Sequence, residues 1–183
     1  MALAGGERKR KTGRMHERTL IRPLHSDQDA AAFDRLNRRW ITEYFTLTPA
    51  DEEILGRPRE SIIARGGEVL IATAADGAVV GVVAVMATGP GSYELAKMTV
   101  DETARGRGLG GQLIQAAITW ARENGGDLVF LGTNTKLSAA IRLYEAAGFQ
   151  RTSIAELGLE DYYARADTLM KLELATLPPS SAH

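Results

Sequence analysis

Between Glu94 and Ile114 a strand-forming stretch runs into a glycine-rich turn, and the turn runs into a helix. The strand part is Glu94-Leu95-Ala96-Lys97-Met98-Thr99-Val100, and Gly106, Gly108, Gly110 and Gly111 crowd the turn. Leu109, Leu113, Ala117, Trp120 and Ala121 then recur at helical spacing. The first N–H groups of a helix have no partners of their own, and glycine lets a backbone approach a ligand or adopt positive φ. With the helix dipole added, such a junction is an anion cradle suited to a pyrophosphate. A chain that builds it needs a sheet with helices packed on it.

The flanking sequence supplies both. Residues 19–22 read as a short strand closed by Pro23. Ser26 offers an N-cap to a helix over 27–45, with Phe33, Leu36, Trp40 and Tyr44 in line. Thr48-Pro49 starts a second helix, and residues 58–64 add a turn or two. Strands over 68–75 and 78–86 flank Asp76-Gly77, a hairpin signal, and 93–100 is a third strand. After the helix at 109–124 come a strand at 127–132, a helix at 136–147 with Leu137, Ile141 and Tyr144 on one side, extended chain at 149–153 and an alternating strand at 168–174. The expectation is a single-domain α/β fold: one mixed, mostly antiparallel sheet flanked by helices, over 19–174. Residues 1–18 read as a basic, disordered tail and 175–183 as a frayed end.

Composition removes several kinds of chemistry. The 183 residues contain no cysteine, which excludes disulfides, thiolate metal sites and a Cys nucleophile. The three histidines are His16, His25 and His183, too few and too scattered for a His-rich metal site or a Ser-His-Asp triad, so no metal is expected. The net charge of −1 hides an asymmetry: residues 1–18 hold six basic and two acidic side chains, while the rest holds 16 basic and 21 acidic. The body is therefore not a basic nucleic-acid surface, and nucleic acid is not an expected partner. No apolar run approaches the roughly 18 residues that span a bilayer. No membrane partner is expected, and a cytoplasmic location is the default.

The glycine-rich turn admits three readings. Gly106, Gly108 and Gly111 satisfy the dinucleotide pattern G-x-G-x-x-G. Asp101–Arg105 separate them from the strand, however, and too little chain follows for a doubly wound sheet. A nucleotide-triphosphate P-loop lacks its Gly-Lys-Ser/Thr ending. The third reading is R-x-x-G-x-G, formed by Arg105, Gly108 and Gly110. Asn134 follows the next strand, and Leu143-Tyr144-Glu145-Ala146-Ala147-Gly148-Phe149 reads L-Y-x-x-x-G-F. In these features the chain resembles the GNAT N-acetyltransferase family, over about residues 19–174 and most strongly over 94–150.

That resemblance implies an acetyl-CoA-dependent transfer of an acetyl group to a primary amine by direct attack in a ternary complex. Acetyl-CoA is then a co-substrate. It implies a pyrophosphate on the backbone of Arg105, Gly106, Arg107, Gly108, Leu109, Gly110 and Gly111, and a pantetheine arm along Met98, Thr99 and Val100. Asn134 and Tyr144 complete the cofactor site. Glu94 is the implied general base and Tyr144 the acid that protonates the departing thiolate. For Asn134 a capping or turn role stays open, for Tyr144 a core role, and for Glu94 an exposed strand-edge carboxylate. Lys97 reads as a solvated face. The implied acceptor, a small-molecule or peptide amine, meets Trp40, Glu43, Tyr44, Phe45, Asp51, Glu52 and Glu53, then Glu160, Asp161, Tyr162 and Tyr163. Sheets of this kind often dimerise, though no interface is visible in the sequence. The alternative is a non-catalytic acyl-CoA-binding sensor module.

Overall fold

The computed structural model describes residues 19–160, 162 and 166–175; the terminal segments 1–18 and 176–183, Asp161 and Tyr163 lie outside the described residues. A seven-stranded sheet has the order β1-β2-β3-β4-β5-β7-β6. The strands are β1 (Leu20–Pro23), β2 (Glu68–Thr73), β3 (Val79–Gly89), β4 (Ser92–Val100), β5 (Leu128–Thr133), β6 (Gln150–Thr152) and β7 (Thr168–Glu173). All neighbours are antiparallel except β4 and β5. A doubly wound dinucleotide fold has a mostly parallel sheet, which this one is not.

The helices are α1 (Asp27–Tyr44), α2 (Pro49–Gly56), α3 (Pro58–Ser61), α4 (Leu109–Glu123) and α5 (Ser138–Ala146). Ser26 and Asp29 cap α1 reciprocally, and Thr48 and Asp51 do the same for α2. Asp29 also holds the Arg22 guanidinium of β1 at 2.7 Å, so the cap fastens α1 to the sheet edge. The expected hairpin at Asp76-Gly77 is longer than a two-residue turn: Gly77 N–H donates to Ala74 O, and the strands stop at Thr73 and restart at Val79.

The sheet is buried on both faces. Leu70, Ala72, Val83 and Val85 join α4 and α5 in one core. Val69, Ile71, Val82 and Ala84, one residue out of step, join α1 and α2 in the other. That explains the unbroken apolar run in β3, since neither face of a central strand meets water. No helix among the described residues is long and apolar enough to cross a membrane.

Candidate active site

β4 lies beside β5 only where Ser92–Glu94 face Leu128–Phe130. Beyond Glu94 it stays with β3, while β5 continues along β7 to the Thr133–Thr168 pair. The sheet opens at that point. A bulge accompanies the opening: Val82 faces Thr99 and Ala84 faces Ala96, so β4 spends one residue more than β3, and Lys97 sits at φ 51°. Between the diverging strands is a cleft of about 500 Å³. Its walls are β4 from Glu94 to Val100, β5 and its sequel from Gly132 to Asn134, the start of α5, and the Asn37–Phe45 face of α1.

The cleft collects most of the residues singled out in the sequence. Glu94, Met98, Thr99, Val100, Arg105, Asn134 and Tyr144 all line it. Gly106, Arg107, Gly108, Leu109, Gly110 and Gly111 are not among its walls; they continue from Arg105 as the turn and first residues of α4. Gly106 (φ 73°) and Gly108 (φ 77°) adopt the left-handed backbone that makes the turn. The N–H groups of Gly106, Gly108, Leu109, Gly110 and Gly111 have no hydrogen-bond partner among the described residues. A methyl group at Gly106, Gly108 or Gly111 would stand in open space, whereas one at Gly110 would press on Leu143 at 3.1 Å. The turn is thus an open concavity edged by free N–H donors, which fits a pyrophosphate. Arg105 braces it by donating from Nε to Val100 O (3.2 Å). The Leu109 side chain is in the core, so only its backbone is offered.

Glu94 is buried, not an exposed strand-edge carboxylate. Tyr162 donates from its hydroxyl to Glu94 Oε1 at 2.5 Å. Burial pushes the carboxyl above its ordinary range, against the opposing pull of that hydrogen bond and the Lys97 charge. Tyr144 is likewise buried, edge-on to Phe149 at 6.0 Å, and burial pushes its phenol up to about 12. Its hydroxyl has no hydrogen-bond partner among the described residues. Core packing and cleft exposure therefore coexist in this one side chain. Asn134 is a turn residue and not the cap of α5: its Oδ1 accepts from Lys136 N–H (3.0 Å), and the helix starts only at Ser138. Asp167 accepts from the N–H and hydroxyl of Thr135, pinning this connection to the start of β7.

Lys97 corrects the sequence reading. It is buried, and its Nζ lies 2.6 Å from Oδ1 of the fully buried Asp51. The bulge turns the side chain inward toward α2, where a regular strand would send it to the sheet's other face. The acidic acceptor side is largely neutralised as well. Arg38 grips Glu52 with both guanidinium nitrogens at 2.8 Å, and Arg65 approaches Glu53 at 3.9 Å. Trp40 remains packed on Tyr44 and Phe45 at 5.5 and 5.8 Å, an aromatic wall. Asn37 was not anticipated. It is buried, lines the cleft and accepts from the Thr99 hydroxyl at 3.0 Å, so the Thr99 side chain braces α1.

Splayed strands, a glycine-rich helix start and a buried carboxylate and phenol are thus gathered around one cleft. The acetyltransferase (GNAT) family profile matches residues 30–149, and the chain belongs to that family. Among curated proteins it is 34% identical over 86 residues to N-alpha-acetyltransferase RimI of Mycobacterium tuberculosis, covering 44% of this chain and 52% of that protein. The chain aligns with about half, or less, of the length of the curated relatives it matches. Among solved structures, an acetyltransferase of the GNAT family from Staphylococcus aureus Mu50 superposes with a TM-score of 0.76 at 18% identity, covering 85% of this chain and 99% of that one. The Salmonella typhimurium protein yncA, solved with its cofactor acetyl-CoA, superposes with a TM-score of 0.64 at 22% identity, covering 90% and 99%.

Proposed function

We propose that the chain is an acetyl-CoA-dependent N-acetyltransferase acting on a primary amine by direct attack in a ternary complex. The observation that carries this reading is the opening of β4 from β5, with Glu94 and Tyr144 both lining the cleft and the glycine-rich turn following from Arg105. Acetyl-CoA would supply the acetyl group as an activated thioester. The N–H groups of Gly106, Gly108, Leu109, Gly110 and Gly111, without hydrogen-bond partners among the described residues, suit its pyrophosphate. The edge of β4 beyond Glu94, which has no strand partner, suits an extended pantetheine arm near Met98, Thr99 and Val100, as an added strand would. Asn134 lines the opposite wall.

An amine acceptor arrives protonated at neutral pH, since its ordinary pKa is near that of lysine, about 10.4. Glu94 takes up the ammonium proton, directly or through a water, the second nitrogen proton leaves to solvent once the C–N bond has formed, and burial makes Glu94 a stronger base than an exposed glutamate. As the C–N bond forms and the C–S bond breaks, Tyr144 donates toward the departing sulfur. Held at about 12, the phenol stays protonated at neutral pH but is a weak acid toward a thiol of pKa near ~8.5. Its service is therefore a hydrogen bond during cleavage, with any proton it gives replaced from solvent. The products are the acetylated amine and the free thiol of coenzyme A.

Calorimetry with acetyl-CoA and thiol release over a panel of amines test the reading. Binding with amine-dependent release is expected. Indifference to acetyl-CoA at millimolar concentration overturns it, and binding without release over the panel marks an acyl-CoA sensor instead. The acceptor is proposed to be a small-molecule or peptide amine that presents an apolar or aromatic neighbour to the Trp40, Tyr44 and Phe45 wall.

A further inference from the structure

One side chain from outside the sheet touches both arms of its opening. Tyr162, from the segment between β6 and β7, reaches Glu94 on β4 with its hydroxyl (2.5 Å) and meets Phe130 on β5 edge-on at 6.3 Å between ring centroids. Its ring covers Gly132 so closely that a methyl group built there would run into it. Glycine at 132 is what lets the ring sit on the strand. Glu94 Oε2 makes no hydrogen bond among the described residues and stays available for a proton.

We propose that Tyr162 is a positioning residue of this transferase: its hydroxyl holds the Glu94 carboxylate in the orientation and charge state of a base. The hydroxyl reaches Glu94 from a ring seated on Gly132. The inference rests on the reading of Glu94 as the base.

The charged and titratable surroundings support it. Lys97 attracts the Glu94 carboxylate from the same strand, a weaker pull than the Tyr162 hydrogen bond, and its Nζ lies 2.6 Å from Asp51 of α2. Phe130 of β5 and Met86 of β3, the neighbours of Glu94 in the sheet, carry no charge. Tyr44, Arg105, Lys136 and Tyr144 also line the cleft, and none of them donates a hydrogen bond to Glu94 among the described residues. The Tyr162 hydroxyl is thus the one direct donor to Glu94 among the described residues. A hydrogen bond to a charged group is stronger than a neutral one and favours the ionised form.

The test is a carbon-13 titration of the glutamate carboxyls, with Glu94 assigned by its disappearance in Glu94→Gln, alongside the pH profile of kcat/KM. In Tyr162→Phe, which keeps the ring on Gly132, the Glu94 midpoint is expected to move up and the acid limb of the profile to move with it. At pH 7 kcat/KM should fall about tenfold and recover at alkaline pH, with acetyl-CoA affinity unchanged. Gly132→Ala, which retains the hydroxyl but denies the ring its seat, should move the midpoint the same way. An unmoved midpoint in Tyr162→Phe overturns the inference and leaves Glu94 as base. A rate loss without movement of the acid limb also overturns it. Full activity in Glu94→Gln overturns the base reading, and the inference with it.

Discussion

Tyr144 shows how one side chain meets two demands. Its ring is packed against Phe149 in the core, while the residue also lines the cleft and its hydroxyl makes no hydrogen bond among the described residues. Tyr144→Phe keeps the packing and removes the donor. It is expected to lower kcat about 10²-fold while leaving the calorimetric affinity for acetyl-CoA within twofold, since proton donors of this kind act in the transition state. Gly108 makes a different demand, for left-handed backbone with open space beside it. Gly108→Glu costs about 1–2 kcal/mol of backbone strain, which a folded domain survives. It also puts a carboxylate where a pyrophosphate would bind. Circular dichroism should stay native while acetyl-CoA binding is lost in calorimetry.

The elements hold the cleft open through a few buried polar contacts. Lys97 on the β4 bulge and Asp51 in the cap of α2 form one of them, with side chains 8% and 0% exposed. Lys97→Met removes the cation that lies 2.6 Å from a fully buried carboxylate and should destabilise the fold by about 3 kcal/mol in urea denaturation. The α1 cap adds a pH dependence. The Arg22 guanidinium and the N–H groups of His25 and Ser26 hold Asp29 well below the usual carboxylate range. A carboxylate depressed in the folded state stabilises above its unfolded pKa, near ~3.9, and that contribution is lost as pH falls through the folded value. Asp29→Asn should therefore cost about 2 kcal/mol at pH 7, and its stability gap to the native protein should close on acidification below about pH 4. Most element boundaries were legible, because caps, positive-φ glycines and apolar periods are local signals. The start of α5 was not: Asn134 closes a side-chain turn on Lys136 and delays the helix to Ser138.

At the scale of the whole molecule, the family match spans 30–149 and the described cleft walls are drawn from Asn37 to Ala166. Deleting residues 1–14 should leave amine-dependent thiol release unchanged, and any salt-sensitive binding to nucleic acid should vanish with that deletion. The sequence by itself determined the order of strands and helices and the glycine turn, which follow from residues within a few positions of one another. Its resemblance to a family singled out Asn134, Tyr144 and Glu94. The tertiary structure alone decided that Lys97 turns inward to Asp51, 46 residues away, that Thr99 meets Asn37 across 62, and that Tyr162 reaches Glu94 across 68. The physical reason is register: one extra residue in β4 against β3 sets which side chains face the cleft, and nothing local in the chain encodes the strand it will be measured against.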